Sequence, residues 1–183
     1  MLVILDRDGV INEYDGSYIC SPAQWHPLPG SLEAIGQLCG AGFRIAIATN
    51  QSGIARGYYD LDTLEAMHDK LRQLLKAHGG TVDFIAYCPH HPDEHCQCRK
   101  PATGLFGQIR EHYGLGSLTG AVMVGDSRKD LEAGLAVGCD TYLVRTGNGL
   151  ETEQHLLERP LEGVQVFDNL AAVVDHLLAG KSR

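Results

Sequence analysis

The chain has 183 residues, 44% of them hydrophobic, which fits one domain over 1–183 with a full core. Its formal charge of −8 argues against broad nucleic-acid binding, and no apolar stretch nears the roughly 20 residues that cross a bilayer. Without a basic segment and a long apolar one at the start, a cytoplasmic protein with no membrane partner is expected, a monomer by default.

The first apolar run, Leu2-Val3-Ile4-Leu5, reads as a short buried strand and runs directly into Asp6-Arg7-Asp8-Gly9. Residues two apart on a strand face the same side, so Asp6 and Asp8 are expected in one pocket, with Gly9 turning the chain. Two such anions call for a cation between them, and Mg²⁺ is the natural hard, oxygen-seeking occupant. The segment from Ser21 to Pro29, with three prolines, reads as a surface loop near the site mouth or as a packed connector anchored by Trp25.

Further apolar runs at 43–48, 82–87, 121–124, 141–144 and 164–167 read as strands buried on both faces. Between them lie helical spacings, Leu32-Ile35-Leu38 and Leu64-Met67-Leu71-Leu74, and helices are expected near 104–113, 128–137, 151–158 and 169–179. Asp62 and Glu65 have the residue types of a capping box, and Gly79-Gly80 ends that helix. The alternation predicts an α/β fold, a Rossmann-like three-layer sandwich with a central parallel sheet. Ligands of such sheets bind beyond the carboxyl ends of the strands, where Asp6 and Asp8, Thr49, Cys88 and Asp126 fall in turn.

Six cysteines are present. Cys20, Cys39 and Cys139 read as ordinary thiols. Cys88, Cys96 and Cys98 share one loop with His90, His91 and His95, a grouping that favours metal over disulfide in a cytosolic chain. Three thiolates and one imidazole make a closed tetrahedral Zn²⁺ site with no place for a reactive water, and spacing alone leaves the three histidines open. That site borders Arg99-Lys100 and is placed to fix both.

Four segments taken together, Asp6-Arg7-Asp8-Gly9-Val10-Ile11-Asn12, Thr49-Asn50-Gln51-Ser52-Gly53, Arg99-Lys100-Pro101 and Gly125-Asp126-Ser127-Arg128-Lys129-Asp130, resemble the motifs of haloacid dehalogenase superfamily phosphatases. The resemblance implies that Asp6 is a nucleophile and Asp8 a general acid and base. It assigns Thr49 and Lys100 to the reacting phosphoryl group. It places Mg²⁺ on Asp6, the carbonyl of Asp8 and Asp126, with Asp130 behind them. Arg7, Tyr18, Asn50, Gln51, Ser52, Arg99 and Ser127 become substrate contacts.

The zinc loop is similar to that of a branch acting on heptose bisphosphates or histidinol phosphate. In that branch a Cys-x-His, Cys-x-Cys pattern selects Cys88, His90, Cys96 and Cys98 and leaves His91 and His95 facing solvent. The intervals between motifs leave no room for a separate cap domain, so loops around Tyr18, Arg56 and the zinc site form the rim. A sugar phosphate is the expected small-molecule partner. Histidinol phosphate, a receiver-type signalling domain and a non-catalytic zinc adaptor are the competing readings.

Overall fold

The computed structural model describes residues 1–181, so the last two residues of the expected 1–183 unit lie outside the described residues. Six parallel strands form one sheet: β1 (Leu2–Leu5), β2 (Arg44–Asn50), β3 (Phe84–Cys88), β4 (Val122–Gly125), β5 (Asp140–Val144) and β6 (Val164–Phe167). Their order across the sheet is β3-β2-β1-β4-β5-β6. The connections run outward in opposite directions from the β1/β4 boundary, and that reversal opens a crevice beyond the strand ends.

Strand alternation sorts the core into two layers. Val3, Leu5, Ile45, Ile47, Val122 and Val124 face one way and pack with α1 (Ser31–Gly40), α2 (Leu61–Lys76) and α6 (Leu170–Lys181). Leu2, Ile4, Ala46, Ala48 and Met123 face the other way, against α3 (Gly104–His112) and α4 (Arg128–Ala136). Each large aliphatic residue so buried contributes about 1.5–3 kcal/mol, and a one-residue slip would turn all of them to the wrong layer. The register holding Asp6 beside β4 is therefore fixed by the core. The remaining helix, α5 (Gly149–Glu158), follows β5. Among the described residues no separate cap is present, and no helix is long and apolar enough to cross a membrane.

Three local expectations change. Thr49 and Cys88 do not follow their strands; they lie within β2 and at the end of β3, because the ladder continues through the pairs Thr49↔Tyr87 and Asn50↔Cys88. The cap of α2 is not Asp62 with Glu65. Asp60, whose backbone is extended, accepts the Thr63 N–H at 2.8 Å, and Asp62 sits within the first turn, where its charge complements the helix dipole. The Pro-rich segment is the packed connector: Trp25 is fully buried, and Lys70 donates to the carbonyls of Pro22 and Trp25 at 2.7 and 2.6 Å. Tyr14, Tyr18 and Ile19, earlier in the chain, border the cleft instead.

Candidate active site

Asp6 and Asp8 line one cleft with Thr49, Lys100, Asp126 and Asp130. Gly9, at φ +86°, makes the turn after β1, and Gly147 stands across from it at φ +57°. A Cβ on either would come within 2.1 or 2.2 Å of the Asp126 Oδ2, so both glycines are required for that carboxylate to reach the cleft floor. The Asn148 N–H then donates to the same oxygen at 2.8 Å, and Thr152 Oγ1 donates to the Asp126 carbonyl at 2.8 Å.

Lys100 is buried between acids. Its Nζ lies 2.9 Å from Asp6 Oδ1 and 2.6 Å from Asp130 Oδ1, and donates to the Ala48 carbonyl at 2.7 Å, which engages all three ammonium hydrogens. Burial works to discharge this lysine, but the Asp130 and Asp6 carboxylates outweigh it and hold the ammonium above its ordinary pKa. Asn50 fixes the Lys100 backbone from both sides, accepting its N–H at 3.0 Å and donating to its carbonyl at 3.1 Å.

Asp8 is held by four donors. Arg7 gives Nε to Oδ1 at 2.9 Å and Nη2 to Oδ2 at 3.2 Å, Asn12 Nδ2 reaches Oδ1 at 3.0 Å, and Gln51 Nε2 reaches Oδ2 at 3.1 Å. Gln51 also donates to Thr49 Oγ1 at 2.8 Å and accepts from Arg7 Nη2 at 3.2 Å and from the Tyr59 hydroxyl at 2.5 Å. Because Thr49 Oγ1 accepts from Gln51, its own hydrogen remains available to an oxygen in the cleft.

These contacts revise several roles. The Arg7 side chain, expected to face substrate, is fully buried and its guanidinium is turned onto Asp8, Gln51 and His68. Asn50 and Gln51 line the cleft, yet their amides position Lys100, Asp8 and Thr49. Ser127 gives its hydroxyl to Asp130 Oδ2 at 2.8 Å as the cap of α4. Ser52 meets the Tyr18 hydroxyl at 3.1 Å, and Arg99 lines the cleft with a buried, unpartnered Nη1. Arg56 lies over the Tyr18 ring, 5.7 Å from its centroid, outside the cleft lining. The motif segments and the rim loop already held Lys129 and Tyr59, while sequence reasoning assigned no role to Tyr14 or Asn148, which also line the cleft. Only the last had a signal, the Gly-containing turn after β5 at a strand's carboxyl end.

The floor fits a divalent cation. Carboxylate oxygens of Asp6, Asp126 and Asp130 gather within 4.8 Å of one another. Burial and the charge of Asp130 push Asp6 up to about 7 against the pull of Lys100, and burial with the charges of Asp130 and Asp6 pushes Asp126 up to about 9. Such crowding marks acids that need a cation. Asp130 has no oxygen to offer: Oδ1 holds Lys100, and Oδ2 accepts from the N–H groups of Asp126 and Ser127 as well as the Ser127 hydroxyl. Asp6 Oδ2 and Asp126 Oδ1 carry no hydrogen bond among the described residues and are free to meet a hard cation.

The second cluster also fits its metal. Cys88 Sγ stands 3.5 Å from His90 Nδ1, 3.5 Å from Cys96 Sγ and 3.1 Å from Cys98 Sγ, and Cys98 Sγ is 3.2 Å from His90 Nδ1 and 3.6 Å from Cys96 Sγ. These separations approach the edges of a tetrahedron with metal–sulfur bonds of about 2.3 Å, and all three thiols are free. His91 instead caps the turn Pro92–Glu94, accepting the Asp93 N–H at 3.2 Å, while His95 is exposed. The Arg99 N–H reaches Cys96 Sγ at 3.4 Å, joining this cluster to the segment that carries Lys100.

A family model described as HAD-hydrolase-like matches residues 97–173, and one described as polynucleotide kinase 3 phosphatase matches residues 8–133. Fold, strand-end acids and these matches define a phosphatase of the haloacid dehalogenase superfamily, a phosphoric monoester hydrolase. Proteins named D-glycero-β-D-manno-heptose-1,7-bisphosphate 7-phosphatase from Pseudomonas aeruginosa and Pseudomonas putida are 56% and 54% identical over 97% of this chain and 97% and 99% of their own lengths. The crystal structure of D,D-heptose 1,7-bisphosphate phosphatase from Bordetella bronchiseptica, complexed with magnesium and phosphate, superimposes with a TM-score of 0.92 at 46% identity, covering 98% of both chains. The chain belongs to the D-glycero-D-manno-heptose-1,7-bisphosphate 7-phosphatase family.

Proposed function

We propose that the chain removes the 7-phosphate of D-glycero-β-D-manno-heptose 1,7-bisphosphate and releases heptose 1-phosphate and inorganic phosphate. The observation that carries this reading is the 56% identity to a protein of that name along almost the whole of both chains. An Asp6 carboxylate oxygen attacks phosphorus, the bond from phosphorus to the C7 oxygen breaks, and Asp8 delivers a proton to the departing alkoxide. Asp8 then takes a proton from a water that attacks the aspartyl phosphate, and phosphate leaves as the Asp6 carboxylate is restored.

The Thr49 hydroxyl donates to an equatorial oxygen, and the Lys100 charge lies beside the oxygens that gain negative charge. Bound Mg²⁺, held by Asp6, Asp126 and the Asp8 carbonyl, supplies charge neutralisation between the nucleophile and the phosphate dianion. Zn²⁺ held by Cys88, His90, Cys96 and Cys98 is structural and braces the Arg99–Lys100 segment. The chain works as a single cytoplasmic unit over 1–183, a monomer.

Phosphate release from four substrates tests the reading: heptose 1,7-bisphosphate, histidinol phosphate, fructose bisphosphate and a 3′-phosphorylated oligonucleotide. The heptose bisphosphate should show the highest kcat/KM. The formal charge of −8 disfavours the oligonucleotide. A higher kcat/KM on any of the other three would overturn the assignment.

A further inference from the structure

We propose that Tyr59 is a positioning residue for the acid step: its hydroxyl sets the Gln51 amide, and the amide holds the Asp8 carboxyl in place for the departing oxygen. The proposal rests on the reading above, in which Asp8 delivers the proton.

Gln51 stands at the centre of four contacts. Its Oε1 faces Arg7 Nη2 at 3.2 Å and the Tyr59 hydroxyl at 2.5 Å, and its Nε2 faces Asp8 Oδ2 at 3.1 Å and Thr49 Oγ1 at 2.8 Å. A guanidinium only donates, so the amide atom turned to Arg7 is the oxygen, and the tyrosine must donate to it as well. Both amide hydrogens are then committed to Asp8 and Thr49. Without the hydroxyl a single donor at 3.2 Å holds the oxygen, on a terminal torsion that is intrinsically broad and roughly two-fold. An amide turned the other way sets its oxygen against the Asp8 carboxyl.

The chain is built to bring Tyr59 to this amide. The Tyr58 N–H donates to the Gly53 carbonyl at 2.9 Å, which folds the backbone over the end of the Thr49–Gly53 segment. A Cβ on Gly53 would come within 2.3 Å of Tyr59 Cε1 and 2.9 Å of its Cζ, so only glycine lets the ring lie against that backbone. On the other side Asp60 caps α2. Tyr59 is 8% exposed and packs in the core, and among the described residues Gln51 is the one hydrogen-bond partner of its hydroxyl. Packing uses the ring, and the hydroxyl serves Gln51.

The test is a leaving-group comparison in wild type, Tyr59→Phe, Gln51→Met, the double variant and Tyr113→Phe. Tyr113 is the control, because its hydroxyl meets the Ile45 carbonyl at 3.2 Å outside the cleft lining. From heptose 1,7-bisphosphate an alkoxide departs and needs a proton, whereas p-nitrophenyl phosphate releases a stable phenolate that does not. The value of kcat/KM covers the steps up to that departure, so it isolates Asp8 as acid from its later work as base.

Tyr59→Phe should lower kcat/KM about fivefold to tenfold on the heptose bisphosphate and less than twofold on the aryl phosphate. Gln51→Met should show the same bias, and adding Tyr59→Phe to it should cost less than a further twofold, because the hydroxyl acts only through the amide. Tyr113→Phe should leave both substrates at wild-type values. An equal loss on the two substrates, no loss on either, or full additivity in the double variant would overturn the proposal. Asp8→Asn is the reference: if it lowers both substrates equally, the acid role of Asp8 itself fails and the proposal falls with it.

Discussion

Asp130 joins two parts of the site: one oxygen lies 2.6 Å from the Lys100 ammonium, and the other closes the start of α4 through Asp126 N, Ser127 N and Ser127 Oγ. Asp130→Ala strips a buried ammonium of one of its two acidic partners. The expected cost is about 3–5 kcal/mol of stability together with a fall in kcat, read by urea unfolding and steady-state turnover. An unchanged unfolding midpoint would remove Asp130 from this bracing role.

Asp6→Asn keeps the shape of the side chain and removes the nucleophile. Turnover should drop by several orders of magnitude while the far-ultraviolet circular dichroism spectrum stays that of the folded wild type. Near-normal turnover in this variant would exclude covalent catalysis at Asp6.

Gly147→Ala places a Cβ 2.2 Å from the Asp126 Oδ2 in a backbone conformation, φ +57°, that L side chains rarely adopt. The carboxylate must move, so the Mg²⁺ concentration for half-maximal activity should rise at least about tenfold, a shift of roughly 1.4 kcal/mol in binding. A Mg²⁺ titration of activity measures it, and an unaltered midpoint would mean that Asp126 does not hold the ion.

Cys96→Ser should lose zinc and most of the activity, because the thiolate that accepts the Arg99 N–H also belongs to the tetrahedral cluster. Elemental analysis of purified wild type should find one zinc per chain, and a chelator should lower the melting temperature. Fully active protein without zinc would contradict the structural role.

His68 supplies a pH dependence of stability. Burial, with the nearby charges of Arg7 and Arg72, pushes this imidazole down to about 3. The unfolded chain takes up a proton near pH 6.5 and the folded chain does not, so the stability linked to His68 is complete above about pH 6.5. It is lost as pH falls toward 3, at up to about 1.4 kcal/mol per pH unit. His68→Gln removes this titration. The stability difference between the variant and wild type should be flat above pH 7 and shift in favour of the variant below pH 6, and parallel curves down to pH 4 would refute the assignment.

The sheet and the acids at its ends were legible because the strands are short, apolar and buried, and because Asp6, Asp8 and Asp126 follow such runs directly. The gathering of Cys88, His90, Cys96 and Cys98 was legible for a similar reason, since the four lie within eleven consecutive residues. What escaped depends on distant contacts. Nothing near Tyr59 in sequence indicates that its hydroxyl reaches Gln51, and Arg7, polar and next to two acids, gives no sign of being fully buried. Asp60 and Asp62 are equally good capping residues by type, and backbone conformation alone decides between them.

The crowded floor couples metal to phosphate. Four carboxylates, those of Asp6, Asp8, Asp126 and Asp130, face only two buried cations, Arg7 and Lys100, which leaves a formal −2 where a phosphate dianion must settle. Anion and empty floor repel, and a single divalent ion cancels that excess. Metal and phosphate therefore strengthen each other's binding, the metal taking the place of the protons that the crowded Asp6 and Asp126 otherwise hold. Inorganic phosphate, the last product out, is a competitor whose grip on the enzyme rises and falls with the magnesium concentration.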